Sequence, residues 1–256
     1  MTGEGIPPAD TLAQLRSELA QARQQISDMA AAQEDFLRGV SHDLRAPLRH
    51  VTSYGALVRE VLQEQPPQVD EALGFLATME QSARRMAQMI DGLQAIARAR
   101  SAALRPRAVA LTAAVQEARQ ALGAAAEGAA WNIAPDLPVV QADAELLAQL
   151  LVQLLGNAVK FSRGVAQPHV QVQAEPAAQG RARSTVRDNS AGFDGTRAQQ
   201  LFGVFQRMHR EAEFEGVGAG LALCQAIAQR HGAHIQATAA PGAGCTVALE
   251  WPAAAR

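Results

Sequence analysis

A histidine followed by an aspartate lies in the middle of a long predicted helix. His42 and Asp43 belong to the segment SHDLRAPLR, residues 41–49. A histidine that accepts a phosphoryl group needs one ring nitrogen with its lone pair directed at phosphorus, and a carboxylate that holds the proton on the other nitrogen. Asp43 can supply that carboxylate. Because a lone histidine–aspartate pair is most often an ordinary surface pair, this interpretation depends on the other segments of the chain.

A leucine-rich helix predicted for residues 143–162 carries three polar side chains on one face. Gln153, Asn157 and Lys160 follow one another at i, i+4 and i+7, a spacing that aligns side chains along a helix. Amide oxygens suit Mg²⁺, and an ammonium group suits phosphate. Lys160 is also the only lysine among the 23 lysine and arginine residues. The alternative is a solvent-facing polar stripe on an amphipathic helix.

Two glycine-containing segments follow in the second half of the chain. The segment DNSAGFD, residues 188–194, comes after a predicted strand, and the Asp188 carboxylate could accept a hydrogen bond from an exocyclic amine. Such stretches are mostly ordinary turns. The segment GVGAGL, residues 216–221, opens a predicted helix, where backbone N–H groups and the helix dipole can bind phosphates. It lacks the βαβ context of a dinucleotide fold.

The remaining histidines and both cysteines show no metal-ligand spacing. Cys224 and Cys245 are too few for a disulfide framework or a four-ligand zinc site, and they fit a reduced cytosol. Five histidines are interpreted as structural or surface residues: His50, His169, His209, His231 and His234.

The element that must position His42 is a helix with a heptad pattern. Apolar residues alternate at intervals of three and four over residues 11–40, which predicts a coiled coil. The opposite face is polar, so we favour a dimer over a helix that lies on its own domain. The two series are Leu12, Leu19, Ile26, Gln33 and Val40, and Leu15, Ala22, Met29, Phe36 and Asp43.

The same helix is predicted to continue beyond the coil and to form a hairpin. It should pass Pro47 with a kink and stop at Gln65-Pro66-Pro67. A second helix is predicted for residues 68–101. Two antiparallel helices with one apolar face each cannot bury those faces alone, so two copies would make a four-helix bundle.

The second half of the chain is predicted to be α+β, with helices on one face of a sheet. Helices are expected over 112–122, 143–162 and about 220–231. Strands are expected over 105–111, 131–133, 169–174, 183–187, 234–239 and 245–251.

Composition limits the class of protein. The 256 residues are 48% hydrophobic and 19% charged, which is typical of a folded protein, and the 4% aromatic content favours helices. The net charge of −2 gives no basic excess for nucleic acid or an anionic membrane. Residues 1–10 are expected to be flexible, without the features of a signal peptide. No apolar run reaches the roughly 18 residues of a membrane span. We therefore expect a soluble cytoplasmic protein, or the cytosolic part of a longer one.

Together and in this order, these segments resemble the two-component sensor histidine kinases over about residues 30–252. Residues 41–49 are similar to the H box of that family, 149–162 to its N box and 188–192 to its G1 box. Residues 202–205 are similar to the F box and 216–220 to the G2 box, and GAGCT at 242–246 resembles a further glycine box. The segments SHDLRAPLR and FGVFQRMHR are most similar to the phytochrome-type branch.

The resemblance implies a fold and a division into domains. An N-terminal coiled coil would lead into a dimeric antiparallel four-helix bundle, followed by an α/β sandwich ATP-binding domain of the Bergerat type. The expected limits are 1–10 for a flexible N-terminus, 11–40 for a coiled-coil signalling helix, 34–102 for the dimerisation and histidine phosphotransfer hairpin, and 105–253 for the ATP-binding catalytic domain.

The resemblance also implies a role for each candidate residue. His42 would be the phospho-acceptor and Asp43 its general base. Asn157 and Gln153 would bind Mg²⁺, Lys160 would contact a phosphate, and Arg207 would contact the γ-phosphate. Asp188 would bind the adenine amine, and Gly192 would let the backbone pass close to the adenine ring. Gly216, Gly218 and Gly220 would form the hinge and phosphate cradle of an ATP lid over about 194–218.

Three positions depart from the family pattern. Gln153 replaces an asparagine, which keeps the amide on a longer arm and could weaken Mg²⁺ binding. Ser190 replaces a glycine, and a positive φ there would cost roughly 1–2 kcal/mol. Ala46 replaces a threonine or asparagine that orients water for dephosphorylation of the partner regulator. Ala46 therefore predicts weak or absent phosphatase activity.

The expected function is ATP-dependent autophosphorylation on His42, followed by phosphoryl transfer to an aspartate of a response regulator. The expected partners are that regulator, a second copy of this chain and an upstream sensor. One alternative is a catalytically degenerate dimeric scaffold that docks a regulator or kinase without using ATP. Another is a Bergerat-fold ATPase of the chaperone or mismatch-repair type, against which the helix carrying His42 and Asp43 argues.

Overall fold

The computed structural model of the chain describes residues 9–177, 181–208 and 213–252. Most of the segment predicted to be flexible, residues 1–8, lies outside these ranges, as does His209. In the described ranges no helix has an apolar stretch sufficient to cross a membrane.

Two long helices form an antiparallel hairpin at the N-terminal side. Helix α1 spans Ala9–Gln63 and continues through Pro47, and helix α2 spans Val69–Ser101. The rings of Tyr54 and Phe75 lie 5.6 Å apart near the turn. At the other end, the Arg100 guanidinium lies 5.7 Å from the centre of the Phe36 ring. The predicted hairpin is confirmed, with helix boundaries within a residue or two of those expected.

The remainder of the chain alternates strands with three helices. The strands are β1 Arg107–Ala110, β2 Ala130–Ile133, β3 Val139–Ala142, β4 His169–Pro176, β5 Ala182–Asp188, β6 His234–Ala239 and β7 Cys245–Trp251. The helices are α3 Leu111–Ala121, α4 Ala144–Phe161 and α5 Gly220–Arg230, with short 3-10 helices at Gly123–Ala126 and Gly195–Phe202.

The strands form two sheets. A five-stranded sheet has the order β2-β4-β5-β7-β6, in which β2 and β4 are parallel and the other pairs are antiparallel. Strands β1 and β3 form a separate antiparallel pair. The sequence patterns locate six of these seven strands, and β3 is not among those expected. The split into two sheets depends on pairings between distant segments. The predicted fold class, a helical hairpin followed by an α/β sheet part, is confirmed.

One hydrophobic core joins the three helices to one face of the large sheet. Leu147, Leu150 and Leu155 of α4 are almost completely buried against Val170 of β4 and Trp251 of β7, among other residues. Each such side chain contributes roughly 1.5–3 kcal/mol to folding through burial. This packing fixes the rotation of α4 about its own axis. The side of the helix that carries the polar side chains is therefore held in one orientation.

Candidate functional site

The predicted phospho-acceptor lies on the surface of the hairpin. The His42 side chain is 78% exposed, and its Nδ1 lies 3.1 Å from Oδ1 of Asp43. This contact occupies Nδ1, so Nε2 is the ring nitrogen that remains for an incoming group. The arrangement matches the one that the chemistry of a phospho-acceptor imidazole requires.

A cavity of about 540 Å³ lies between α4, the large sheet, the glycine-rich segment before α5, and one face of α2. Its volume is in the range of small-molecule sites. Most of the residues predicted to bind nucleotide line this cavity: Gln153, Asn157, Lys160, Asp188, Arg207, Gly216, Gly218 and Gly220. His42 and Asp43 are not part of its wall.

Helix α4 presents its three polar residues to the cavity as their spacing predicts. The Asp143 side chain caps the helix by accepting from the backbone N–H groups of Glu145 and Leu146. Gln153 lies so close to the start of α5 that a Cβ added at Gly220 would collide with its amide oxygen. The polar edge of α4 therefore meets the first turn of α5, where backbone N–H groups favour an anion.

Lys160 is half-buried near charged groups of both signs, Arg163, Arg207 and Glu215. Burial lowers the pKa of its ammonium group, and the nearby Arg207 guanidinium lowers that pKa further, while Glu215 acts in the opposite direction. The ammonium nitrogen lies 4.3 Å from the centre of the Phe161 ring. An anionic ligand in the cavity would stabilise the charged forms of both basic groups.

Arg207 is bound to the glycine-rich segment. Its guanidinium donates to the backbone carbonyls of Phe214 and Gly216, and burial together with the charge of Arg85 lowers its pKa. An ion pair between Arg163 and Glu215, with 2.7 Å between the charged atoms, connects the same segment to the end of α4. These bonds place Arg207 on the cavity wall, while its contact with a γ-phosphate stays a prediction.

Asp188 reaches the cavity because of strand alternation. Ser184, Val186 and Asp188 are the buried members of β5, as expected for a period of two. Oδ1 of Asp188 accepts from the backbone N–H groups of Ser190 and Cys245, each at 3.0 Å. These two bonds fix the carboxylate and leave Oδ2 for a ligand.

Ser190 does not carry the backbone strain considered from the sequence. Phe205 is the only non-glycine residue with a positive φ in the described part of the chain. Ser190 is buried, and its hydroxyl accepts from the backbone N–H of Gly192 at 3.3 Å. The conditional cost of roughly 1–2 kcal/mol therefore does not apply to Ser190, because the positive φ in this segment falls on Gly192.

Gly192 packs closely against the turn between β6 and β7. Its φ is +62°, and an added Cβ would collide with the carbonyl oxygen of Ala240 in the turn between β6 and β7. Gly192 is not among the residues of the cavity wall, so its predicted place beside the adenine ring stays a prediction. In the same turn Gly244 has a φ of +82°, and an added Cβ there would collide with the carbonyl oxygen of Asp188. The two glycines let the turn press against the Asp188 segment.

Several cavity residues were not predicted from the sequence. Helix α2 contributes Gln88, Asp91, Gly92 and Ala95 to the wall. No local pattern could have identified these residues, because their place in the site depends on how the hairpin packs on the sheet part. Apolar wall residues outside α2 include Phe193, Leu201, Met208 and Val247.

The protein oxygens near the cavity could hold Mg²⁺ only if a bound ligand such as a phosphate supplied further oxygens. In the ranges that the structure describes, no three histidine, cysteine, aspartate or glutamate side chains form a metal-binding group. The amide oxygens of Gln153 and Asn157 are the candidate ligands. Mg²⁺ commonly takes one or two protein oxygens and completes its shell with substrate phosphates and water.

Comparison with known proteins identifies two family models in the chain. The model of the histidine kinase A (phospho-acceptor) domain matches residues 32–102. The model of the histidine kinase-, DNA gyrase B- and HSP90-like ATPase matches residues 142–255. The first range contains His42, and the second contains the polar face of α4 and the glycine-rich segments.

Curated relatives match nearly the whole chain but extend far beyond it. Cyanobacterial phytochrome A of a Nostoc species is 32% identical over 254 residues, which are 97% of this chain and 31% of the phytochrome. Sensor protein KdpD of Mycobacterium tuberculosis is 31% identical over 249 residues, 91% of this chain and 28% of that protein. The chain thus spans about a third of the length of these relatives.

Solved structures share the fold. The histidine kinase AdeS of Acinetobacter baumannii has a TM-score of 0.57 at 16% identity, covering 82% of this chain and 96% of AdeS. Full-length ShkA in complex with AMPPNP has a TM-score of 0.56 at 23% identity, covering 86% of this chain and 46% of ShkA.

Proposed function

The chain belongs to the sensor histidine kinases of two-component systems, and from this premise we propose that it autophosphorylates on His42 with ATP. The phosphoryl group then passes to an aspartate of a response regulator. The observation that carries this proposal is the cavity, because it brings Asn157 and Lys160 of α4 together with Asp188 of β5 and with the glycine-rich segment before α5.

The chemistry begins with the tautomer of His42. The Asp43 carboxylate holds the proton on Nδ1, so the Nε2 lone pair attacks the γ-phosphorus. The new N–P bond forms as the bond from the γ-phosphorus to its bridging oxygen breaks, and ADP leaves. Asp43 also stabilises the positive charge that develops on the ring as the bond forms.

The cavity residues supply positioning and charge neutralisation, which are what phosphoryl transfer requires. Oδ2 of Asp188 accepts from the adenine amine, while Oδ1 stays bonded to the backbone. Lys160 and Arg207 offset the charge of the phosphates. Mg²⁺, when bound by Asn157 and Gln153, neutralises part of the same charge. Gly216, Gly218 and Gly220 let the backbone approach the phosphates closely.

A second copy of the chain completes the proposal. Along the coil Leu15, Leu19, Ile26 and Met29 are 51–71% exposed. On the hairpin Leu48, Leu57, Leu62, Val69, Leu73 and Leu76 are exposed as well. A dimer buries both sets, in a coiled coil and a four-helix bundle respectively. The coil would then carry the signal from an upstream sensor.

The experiment is autophosphorylation of the full chain with γ-labelled ATP. We expect a label that is acid-labile and base-stable, as a phosphoramidate is, and that is lost in His42→Ala. His50→Ala is the matched control, since His50 is an exposed histidine on the same helix. Label that persists in His42→Ala would overturn the assignment. Saturable ATP binding without any label would favour the alternative of a catalytically degenerate scaffold. Of the two substitutions that supported this alternative, only Gln153 remains, because Ser190 carries no backbone strain.

A further inference from the structure

Helix α2 forms one wall of the nucleotide cavity. Gln88, Asp91, Gly92 and Ala95 line it together with residues of α4 and α5. Their intervals of three, one and three place them on a single face of the helix. The phospho-acceptor hairpin thus covers part of a site that otherwise belongs to the sheet part.

Helix α2 packs closely against the sheet part at Gly92. A Cβ added at Gly92 would lie 2.5 Å from the Cβ of Ala219, which immediately precedes α5. One and two turns further along α2, Ile96 and Ala99 are 2% and 1% exposed within the core of the sheet part. Beyond the helix end, the Arg230 guanidinium donates to the Ala102 carbonyl. The hairpin is therefore docked by apolar contacts that leave no room for a side chain at position 92.

The docking brings an acidic residue, Asp91, to the wall of the cavity that also contains the first turn of α5. The first turn of α5 has no acidic residue and no side-chain cap at Ala219, so its backbone N–H groups are available to an anion. Asp91 lines the same cavity and is adjacent to Gly92, which touches Ala219. Gln153 and Asn157, the candidate Mg²⁺ ligands, also lie close to Gly220.

We propose that Asp91 is an internal competitor of the nucleotide phosphates, so that docking of α2 lowers nucleotide affinity and nucleotide binding displaces α2. The inference rests on the proposed nucleotide binding. Binding and docking must oppose each other equally in both directions, because the two equilibria are linked. Asp91 adds negative charge to a cavity whose other charged wall residues are Lys160, Asp188, Arg207 and Glu215.

Arg85 shows that α2 does not act as a uniformly negative surface. It lies near enough to Arg207 to lower the pKa of that guanidinium. The proposal therefore concerns Asp91 and the docking contact at Gly92, and the test changes each of these separately.

The experiment measures the dissociation constant of ADP for the full chain. Asp91→Asn should bind ADP about two- to fivefold more tightly, the range expected for one charge at a helix end. Its control is Glu80→Gln, which removes one exposed carboxylate from the same helix outside the cavity. Gly92→Ala should also bind more tightly, since its Cβ separates α2 from Ala219.

Gly74→Ala is the matched control for Gly92→Ala. Gly74 lies on α2 as well, and a Cβ there meets no atom within 4 Å. Both substitutions gain the same helix propensity, so a difference between them reports the docking contact. Small-angle scattering gives a second readout: ADP should increase the radius of gyration of wild type, and Gly92→Ala should show the larger value without ADP.

The results separate this inference from the proposed function. Failure of wild type and Gly74→Ala to bind ADP would remove the nucleotide site itself. If wild type binds ADP but Asp91→Asn and Gly92→Ala bind it no more tightly than wild type does, Asp91 does not compete with the phosphates and the inference is wrong. A radius of gyration that does not change with ADP would overturn the displacement of α2.

Discussion

At the scale of single residues, the proposed chemistry depends on one hydrogen bond. The contact between Nδ1 of His42 and Oδ1 of Asp43, at 3.1 Å, selects which ring nitrogen can react. Both side chains stand outside the cavity wall, so loss of this bond should affect the reaction without affecting nucleotide binding.

Asp43→Asn should therefore slow autophosphorylation by about a hundredfold or more, the usual contribution of a positioned base. Initial rates of labelling together with ADP titration measure the two effects separately. Asp35→Asn removes another exposed carboxylate of α1, one that faces Arg38, and serves as control. An unchanged labelling rate in Asp43→Asn would contradict the role of the carboxylate.

Ala46 lies one helical turn after His42 and has no polar side-chain atom. Without a group to orient water, wild type should barely accelerate the decay of a phosphorylated receiver domain that it has labelled. Ala46→Thr should accelerate that decay, and Ala46→Val, which has a similar shape but no hydroxyl, should not. Rapid dephosphorylation by wild type would refute the prediction.

Asp143 illustrates how a residue outside the site supports it. Its carboxylate accepts from the backbone N–H of Arg105 at 3.0 Å and caps α4. The bond from Arg105 is the largest cause of its lowered pKa. Because the folded-state pKa lies below the unfolded value, the charged form stabilises the fold above about pH 4. That stabilisation is lost as the pH falls through the folded pKa.

Asp143→Asn should accordingly lower the free energy of unfolding by about 1 kcal/mol at pH 7. The difference from wild type should shrink at pH 3, where the aspartate is increasingly protonated. Urea unfolding at the two pH values measures both quantities, with Asp136→Asn as an exposed control. A difference that grows on acidification would contradict the sign of the linkage.

At the scale of elements, the turn between β6 and β7 fixes the position of Asp188. The Cys245 backbone N–H donates to that carboxylate, and Gly244 lies against the backbone of the same residue. The hairpin at the edge of the sheet therefore supports the proposed nucleotide site, although it contributes few cavity residues.

Gly244→Ala and Gly242→Ala separate close packing from backbone conformation. Both glycines have a positive φ, but a Cβ at Gly242 meets nothing within 4 Å. Gly242→Ala should cost about 1 kcal/mol of stability and leave ADP binding intact. Gly244→Ala should cost more and weaken ADP binding. Urea unfolding and ADP titration would contradict this account if the two variants behaved alike.

At the scale of the whole molecule, the predicted coil and the predicted phospho-acceptor, His42, share one helix. The 55 residues of α1 are uninterrupted, which corresponds to a length of about 80 Å. A rotation or shift of the coil would therefore reach His42 through a continuous helix. In the proposed dimer, the exposed apolar seam would be covered by a second copy, which would hold this helix in register.

Ile26→Gln should weaken the dimer, because Ile26 is a seam residue that is 67% exposed in the single chain. Arg23→Gln places the same side chain on the polar face and should not. Sedimentation equilibrium measures the dimer dissociation constant in each case. Equal dissociation constants for Ile26→Gln and wild type would show that the seam is not an interface.

The sequence alone determined nearly all of the elements and identified the candidate residues, whose chemical roles stay predictions. Heptad spacing predicted the coil, the proline pair near residue 66 predicted the end of α1, and the i, i+4, i+7 spacing placed Gln153, Asn157 and Lys160 on one face. Such patterns are local, because the periodicity of a helix or strand depends on residues within a few consecutive turns of the chain.

Only the tertiary structure decided which distant segments meet. In the folded chain the strands form two sheets, and Gly244 packs against the backbone of Asp188. Ser190 does not adopt a positive φ. Asp91 and Gly92 of α2 line the cavity. These contacts join residues far apart in the chain. They arise from the burial of a shared core, which depends on the combined shape of all the elements and on no single segment.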